Sequence, residues 1–155
     1  EYCAQEFGQR LKGFSSRALQ IPWQLDDGYD ALLPVMQTDI TLTYGNQTLI
    51  IDAKYYERTL QTNFDVQTLH SGNMYQIFTY VKNKEAELKG TGYQVSGMLL
   101  YAKTDEDLVP DNVYRMSGNQ ISVKTLDLNQ EFSEIAKQLN RIVENHFGLL
   151  ISDAV

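Results

Sequence analysis

The chain has 155 residues, 43 % of them hydrophobic, which suits one domain with a real core and argues against a disordered chain. Its net charge of −7 argues against a simple DNA-coating protein, and its single cysteine, Cys3, excludes an internal disulfide and fits a reducing compartment. One cysteine and two distant histidines, His70 and His146, make no structural zinc cluster, and no apolar run approaches the ~20 residues needed to span a bilayer. With no signal peptide apparent, a cytoplasmic protein is the expectation. A chain that opens at Glu1 rather than Met reads as a piece of a longer protein.

Residues 1–16 predict a helix, with Tyr2, Phe7, Leu11 and Phe14 near helical spacing. Residues 18–25 read as a short edge strand interrupted by Pro22, and Asp26, Asp27, Gly28 and Asp30 as loop. Two strands follow, Met36–Tyr44 and Gln47–Tyr55, joined by Gly45-Asn46, a two-residue hairpin signal. Residues 57–70 are polar and irregular and read as loop. Ser71 is placed to cap a helix running to about Leu88. Tyr93–Lys103 reads as a buried strand, and Val113–Met116 with Gln120–Leu126 as a second hairpin around Ser117-Gly118-Asn119. Asn129 is the expected cap of a last helix. Its apolar stripe is Phe132, Ile135, Ala136, Leu139, Ile142, Val143 and Phe147, and Gly148 ends it. The order predicts a mixed α/β domain over residues 1–148 around a central sheet, followed by a C-terminal tail, 149–155.

Charge is uneven along the chain. Residues 1–53 carry 3 basic and 7 acidic side chains, residues 104–155 carry 4 and 9, and residues 54–103 carry 6 and 4. Phosphate contacts are therefore expected from the middle third, although an ordinary solvated surface accounts for the same numbers.

The first hairpin carries a geometric expectation. A two-residue turn at Gly45-Asn46 pairs Tyr44 with Gln47 and, carried down the ladder, Asp39 with Asp52. Directly opposed residues share a face, their Cβ atoms ~4.5–5.5 Å apart, and Lys54 lies on that face too. Two facing carboxylates repel unless a cation lies between them. Hard oxygen ligands suit Mg²⁺, which polarises a phosphate for hydrolysis, with Lys54 placed to orient water. Two plainer readings stand beside this one: exposed strand aspartates, or an Asp52–Lys54 salt bridge. Asp is depleted in strands, and the apolar run Ile50-Ile51-Asp52-Ala53 favours the functional reading.

Thr38-Asp39, followed by Asp52-Ala53-Lys54, resembles the PD-(D/E)XK nuclease motif, with Thr38 where the motif has Pro. The surroundings are more specific. Leu32-Leu33-Pro34-Val35-Met36-Gln37-Thr38-Asp39-Ile40, Ile51-Asp52-Ala53-Lys54-Tyr55-Tyr56 and His70-Ser71-Gly72-Asn73-Met74-Tyr75-Gln76 resemble the McrC family, as do Gly97-Met98-Leu99-Leu100-Tyr101 and the last helix. The resemblance covers nearly the whole chain and corresponds to the C-terminal nuclease domain of that family.

It implies a restriction-endonuclease-like core of αβββαβ type, a mixed central sheet flanked by helices. It implies a Mg²⁺-dependent endodeoxyribonuclease, with Mn²⁺ as a possible substitute, that cleaves double-stranded DNA carrying modified cytosine. The expected partner is an McrB-like AAA+ GTPase subunit, since this chain has no phosphate-binding loop of its own. Asp39 and Asp52 would be metal ligands with the Ala53 carbonyl as a third, Lys54 the catalytic lysine, and Gln76 a site residue. Tyr80 follows Gln76 on one helix face. Related nucleases use a glutamate on the first helix, for which Glu1 and Glu6 are the candidates. His70 reads as an active-site neighbour or as a loop histidine, and Tyr55 and Tyr56 as alternating between core and surface. The competing readings are a stand-alone PD-(D/E)XK restriction or repair nuclease and a non-catalytic domain docking on an AAA+ ring.

Overall fold

The computed structural model describes residues 1–149. Three helices and ten strands follow in chain order: α1 (Tyr2–Arg10), β1 (Ser15–Arg17), β2 (Gln20–Ile21), β3 (Met36–Gln37), β4 (Ile40–Tyr44), β5 (Gln47–Lys54), β6 (Leu60–Asn63), β7 (Val66–Leu69), α2 (Ser71–Glu87), β8 (Gln94–Ala102), β9 (Asn112–Met116), β10 (Asn119–Leu126) and α3 (Phe132–Phe147). Six strands form one sheet in the order β1-β4-β5-β8-β10-β9. Neighbours are antiparallel except β5–β8 and β8–β10, so the sheet is mixed. The parallel step from β5 to β8 needs a crossover, and α2 supplies it.

Side chains alternate across the central strands, so the sheet has two distinct faces. Leu42, Leu49, Ile51, Met98 and Leu100 pack against Cys3 and Phe7 of α1 and Val143 and Phe147 of α3. Ile50, Leu99, Tyr101, Ile121 and Val123 pack against Ile77, Tyr80 and Val81 of α2. Gly97 marks the closest approach of α2 to the sheet. A Cβ there would lie 2.8 Å from both Ile77 Cγ1 and Val81 Cγ2.

Several expectations need correcting. The first helix stops at Arg10, Gly13 takes a left-handed φ of 86°, and Ser15–Arg17 then pairs with β4 as an edge strand. The strand expected over 18–25 is only Gln20–Ile21. The strand expected over 36–44 is two strands, because β3 pairs with β2 outside the main sheet and the chain bends at Thr38-Asp39. The expected loop at 57–70 contains the β6–β7 hairpin. Its arms are apolar only at Leu60, Val66 and Leu69, without an alternating pattern, and its turn lacks glycine, so neither strand nor turn showed. His70 and Glu131, not Ser71 and Asn129, occupy the N-cap positions of α2 and α3. Gly148 does end α3, in the left-handed conformation at φ 65°. Leu149 packs against the core, and residues 150–155 of the expected tail lie outside the described residues. Among the described residues, no helix is long and apolar enough to cross a membrane.

Candidate functional site

β5 runs from an apolar interior to a polar end. Alternation puts Ile50, Asp52 and Lys54 on the face covered by α2. Asp52 is only 4 % exposed, and Lys54 Nζ lies 2.7 Å from its Oδ2. Beyond this ion pair, Oδ2 is buried with no other polar partner. Lys54 Nζ also donates to Gln76 Oε1 at 3.0 Å, and Gln76 Nε2 donates to the Tyr80 hydroxyl at 2.9 Å. One helical turn of α2 thereby fixes the lysine head group in place.

Asp39 reaches the same place by another route. The β4–β5 ladder has the expected register, with Tyr44 opposite Gln47, but its last pair is Ile40–Ile51. Asp39 sits on the bend just before β4, so it is not the ladder partner of Asp52. Its Oδ2 accepts the Ala53 N–H at 2.8 Å, which carries the carboxylate to the end of β5. The bend is pinned by Thr38, which is 2 % exposed: its N–H donates to the Leu19 carbonyl at 2.8 Å, and its Oγ1 accepts the Leu19 N–H at 2.9 Å. Proline, the motif residue at this position, has no N–H to make the first of these bonds.

The charges bear the marks of crowding. Burial pushes the Asp52 carboxyl above the usual carboxylate range; Lys54 opposes this, and the negative charge of Asp39 adds to it. For Lys54, burial alone would lower the ammonium's pKa, but the hydrogen bond and charge of Asp52 outweigh it and hold the value above the ordinary one. Lys54 is therefore a fixed cation at neutral pH. The oxygen ligands gathered at the end of β5 are the two carboxylates of Asp39 and Asp52. Among the described residues, no group of three or more His, Cys, Asp and Glu converges. Two carboxylates are the usual complement for Mg²⁺, which keeps several waters. A buried carboxylate whose charge is raised in cost by a second carboxylate fits such an ion.

Comparison with known proteins agrees in fold and in sequence. No protein-family model matches the chain. A chain of the refined half-complex from the tetradecameric assembly of Thermococcus gammatolerans McrB AAA+ hexamers with bound McrC superposes with a TM-score of 0.55 and 14 % identity. That superposition covers 91 % of this chain and 30 % of the other. The chain is also 29 % identical over 149 residues to the type IV methyl-directed restriction enzyme EcoKMcrBC of Escherichia coli (strain K12). Over nearly its whole length the chain is thus similar in sequence to this restriction enzyme and in fold to a chain of the McrB–McrC assembly. The alignment spans 94 % of the chain but only 40 % of the curated relative, so the chain corresponds to less than half of that protein.

The structure brings together Asp39, Asp52, Ala53, Lys54, Gln76 and Tyr80. It does not bring a first-helix glutamate to them. α1 packs on the opposite face of the sheet, where Glu6 pairs with Arg10 at 2.9 Å and Glu1 is exposed at the helix start. Tyr55 and Tyr56 do not alternate between core and surface; both are exposed. Tyr56 nonetheless stacks on His70, ring centroids 5.4 Å apart.

Sequence reasoning missed a second polar cluster behind Lys54. Asn73 Nδ2 donates to the Tyr101 hydroxyl at 3.0 Å, and the Tyr56 hydroxyl donates to Asn73 Oδ1 at 3.2 Å. Tyr101 lies opposite Lys54 in the β5–β8 register and is 1 % exposed. A usable signal was present: Asn73 precedes Gln76 by three positions, so both fall on one side of α2.

Proposed function

We propose that this chain is the Mg²⁺-dependent endodeoxyribonuclease domain of a GTP-dependent restriction complex. Its substrate would be double-stranded DNA carrying modified cytosine, acted on in the cytoplasm together with an AAA+ GTPase partner. The observation that carries this reading is the buried Asp52 carboxylate beside Asp39, with Lys54 paired to it at 2.7 Å and held there by Gln76. The path of the chain supports it: a helix, three antiparallel strands (β1, β4, β5), a helix, then a parallel strand. That is the αβββαβ order of the PD-(D/E)XK nucleases. The relative from E. coli is itself a methyl-directed restriction enzyme.

Asp39, Asp52 and the Ala53 carbonyl would hold the ion. A divalent cation there supplies Lewis-acid stabilisation of charge on the scissile phosphate. Lys54, kept protonated by Asp52, holds the attacking water and the phosphate in line. Gln76 fixes the lysine's direction, and Tyr80 fixes Gln76. Dependence on a partner follows from charge. Affinity for DNA of any sequence comes mainly from Lys and Arg neutralising phosphates, and this chain is −7 overall.

The test is cleavage of modified duplex DNA by the full-length protein with its AAA+ partner, GTP and Mg²⁺. Asp52→Ala should abolish cutting and weaken Mg²⁺ binding measured by calorimetry. The protein without its partner should bind DNA weakly and cut it poorly. Near-wild-type cutting by Asp52→Ala would overturn the mechanism, and tight, strongly salt-dependent DNA binding by the lone chain would favour a stand-alone nuclease.

A further inference from the structure

The β6–β7 hairpin contributes little to the fold it belongs to. Leu60 is buried and Leu69 half-buried at its base, while Thr62 and every residue from Phe64 to Thr68 are exposed. A two-stranded hairpin of this size is marginal by itself. Its base is latched instead. The Glu106 carboxylate accepts the N–H groups of Thr59 at 2.6 Å and Leu60 at 3.1 Å, and the Thr104 hydroxyl at 2.6 Å. The hairpin is thus held in one direction without being covered.

Its tip is built at a cost. Phe64 (φ 49°) and Asp65 (φ 60°) both lie in the left-handed region, as a two-residue hairpin turn requires. Asp tolerates that conformation, but a bulky residue there is an outlier. Phe64 is also 93 % exposed, so a large apolar ring stands in water on a strained backbone with nothing inside the fold to offset either penalty. The arms, Leu60–Asn63 and Val66–Leu69, contain no charged residue in a chain that is 21 % charged. The exposed Thr62, Gln67 and Thr68 carry both donors and acceptors.

Position decides what meets this surface. The chain runs from Lys54 into the hairpin and from the hairpin into α2, which carries Gln76, so the hairpin joins the two elements that build the candidate site. A two-stranded ribbon with four-residue arms extends roughly 13 Å, and the major groove of DNA, about 12 Å wide, admits such a ribbon. Uncharged Gln and Thr side chains suit base edges, whereas phosphate contacts call for Lys and Arg. Apolar wedges such as Phe insert between base steps when proteins kink DNA. We infer that the β6–β7 hairpin is a ribbon that enters a groove of duplex DNA beside the cut phosphate, with Phe64 as its apolar wedge. This rests on the nuclease reading above and extends it from the cut phosphate to the neighbouring bases.

The experiment uses the full-length protein carrying Lys54→Ala to block cleavage, with and without its AAA+ partner, and a modified duplex containing 2-aminopurine near the cut site. Binding should raise the 2-aminopurine fluorescence as the base step opens. Adding Phe64→Ala should remove that rise and weaken duplex affinity roughly 10-fold, the scale of losing one aromatic–base contact, while Phe64→Trp keeps both. Unchanged affinity and fluorescence in Phe64→Ala would overturn the hairpin's role and leave the nuclease reading intact. Loss of partner association with DNA binding unaffected would also overturn it, making the hairpin a protein-docking element. A protein whose complex binds no duplex at all, although it binds Mg²⁺, would bring down both readings.

Discussion

The two faces of the central sheet are built from the same strands and do opposite work. Under α1 and α3 the face is apolar across β4, β5 and β8, from Leu42 and Leu49 to Met98 and Leu100. Under α2 it is apolar at one end, where Gly97 lets Ile77 and Val81 sit against the sheet. At the other end Asp52, Lys54 and Tyr101 meet Gln76 and Asn73. α3 can carry a continuous apolar stripe because it has only to cover a core. α2 places Asn73 and Gln76 inward, on the side where a purely structural helix would put leucines. On α2 those inward polar groups are bonded to Lys54 and Tyr101 at the end of β5 and β8, where the candidate site lies.

Substitutions on the two faces should therefore separate stability from activity. Lys54→Ala is expected to reduce cleavage by roughly three orders of magnitude, the scale of removing a preorganised charge from a reacting centre, in a domain that still folds although Asp52 loses its counter-charge. Phe147→Ala, on the α3 face, should do the reverse: it costs about 3–5 kcal/mol of stability but leaves cleavage by the folded fraction near wild type. If Phe147→Ala lost activity as completely as Lys54→Ala without unfolding, the division between the faces would fail.

Gln76→Leu keeps the bulk of the side chain and removes both of its hydrogen bonds. It should lower the cleavage rate about 10–100-fold, as is usual for groups that orient a reacting residue. The pH profile should broaden as Lys54 loses its fixed direction. A Gln76→Leu protein with wild-type rates would show that Asp52 alone positions the lysine.

Asp39→Asn is a smaller and opposite test. The amide oxygen can still accept the Ala53 N–H, but the repulsion with Asp52 is gone. In EDTA the variant should melt about 2 °C higher, as expected for relief of up to about 1 kcal/mol between opposed like charges in a domain of this size. It should also cut no DNA. A lower melting temperature in EDTA would mean that the two carboxylates are not in conflict in the free protein.

The smallest effect is in the pH dependence of stability, where the faces should differ in sign. Asp52 has a raised pKa, chiefly from burial, so the folded state binds its proton more readily than the unfolded one. Its contribution is therefore lost as pH rises from the ordinary carboxylate value through the raised one. On the α3 side, burial lowers the pKa of His146, whose ring nitrogens are both buried without partners. The unfolded chain takes up that proton more readily, so stability is lost as pH falls below about 6.5, the unfolded imidazole's ordinary value. Denaturation series across pH should show the acid-side slope flatten in His146→Phe and the Asp52 slope flatten in Asp52→Asn. Any other pattern would mean that different groups dominate the titration.

Much of this was present in the residue order. Gly45-Asn46 set the β4–β5 register, because a two-residue turn leaves one way to pair the arms, and alternation then put Asp52 and Lys54 on one face. The stripe of α3 and the stop at Gly148 followed from helical period and a glycine free to turn left-handed. Other features had no local signature. The bend at Thr38-Asp39 depends on hydrogen bonds to Leu19, nineteen positions away, and it moved Asp39 off the ladder. The β6–β7 hairpin depends on the Glu106 latch, forty-six positions away from Leu60, and its mostly polar arms show no period. Asn73 gained its place only when α2 crossed β8 and met Tyr101. Turn chemistry and periodicity act over a few residues and can be read in order. A carboxylate, amide or hydroxyl held by a distant backbone group cannot, because its partner is chosen by the packing of whole elements.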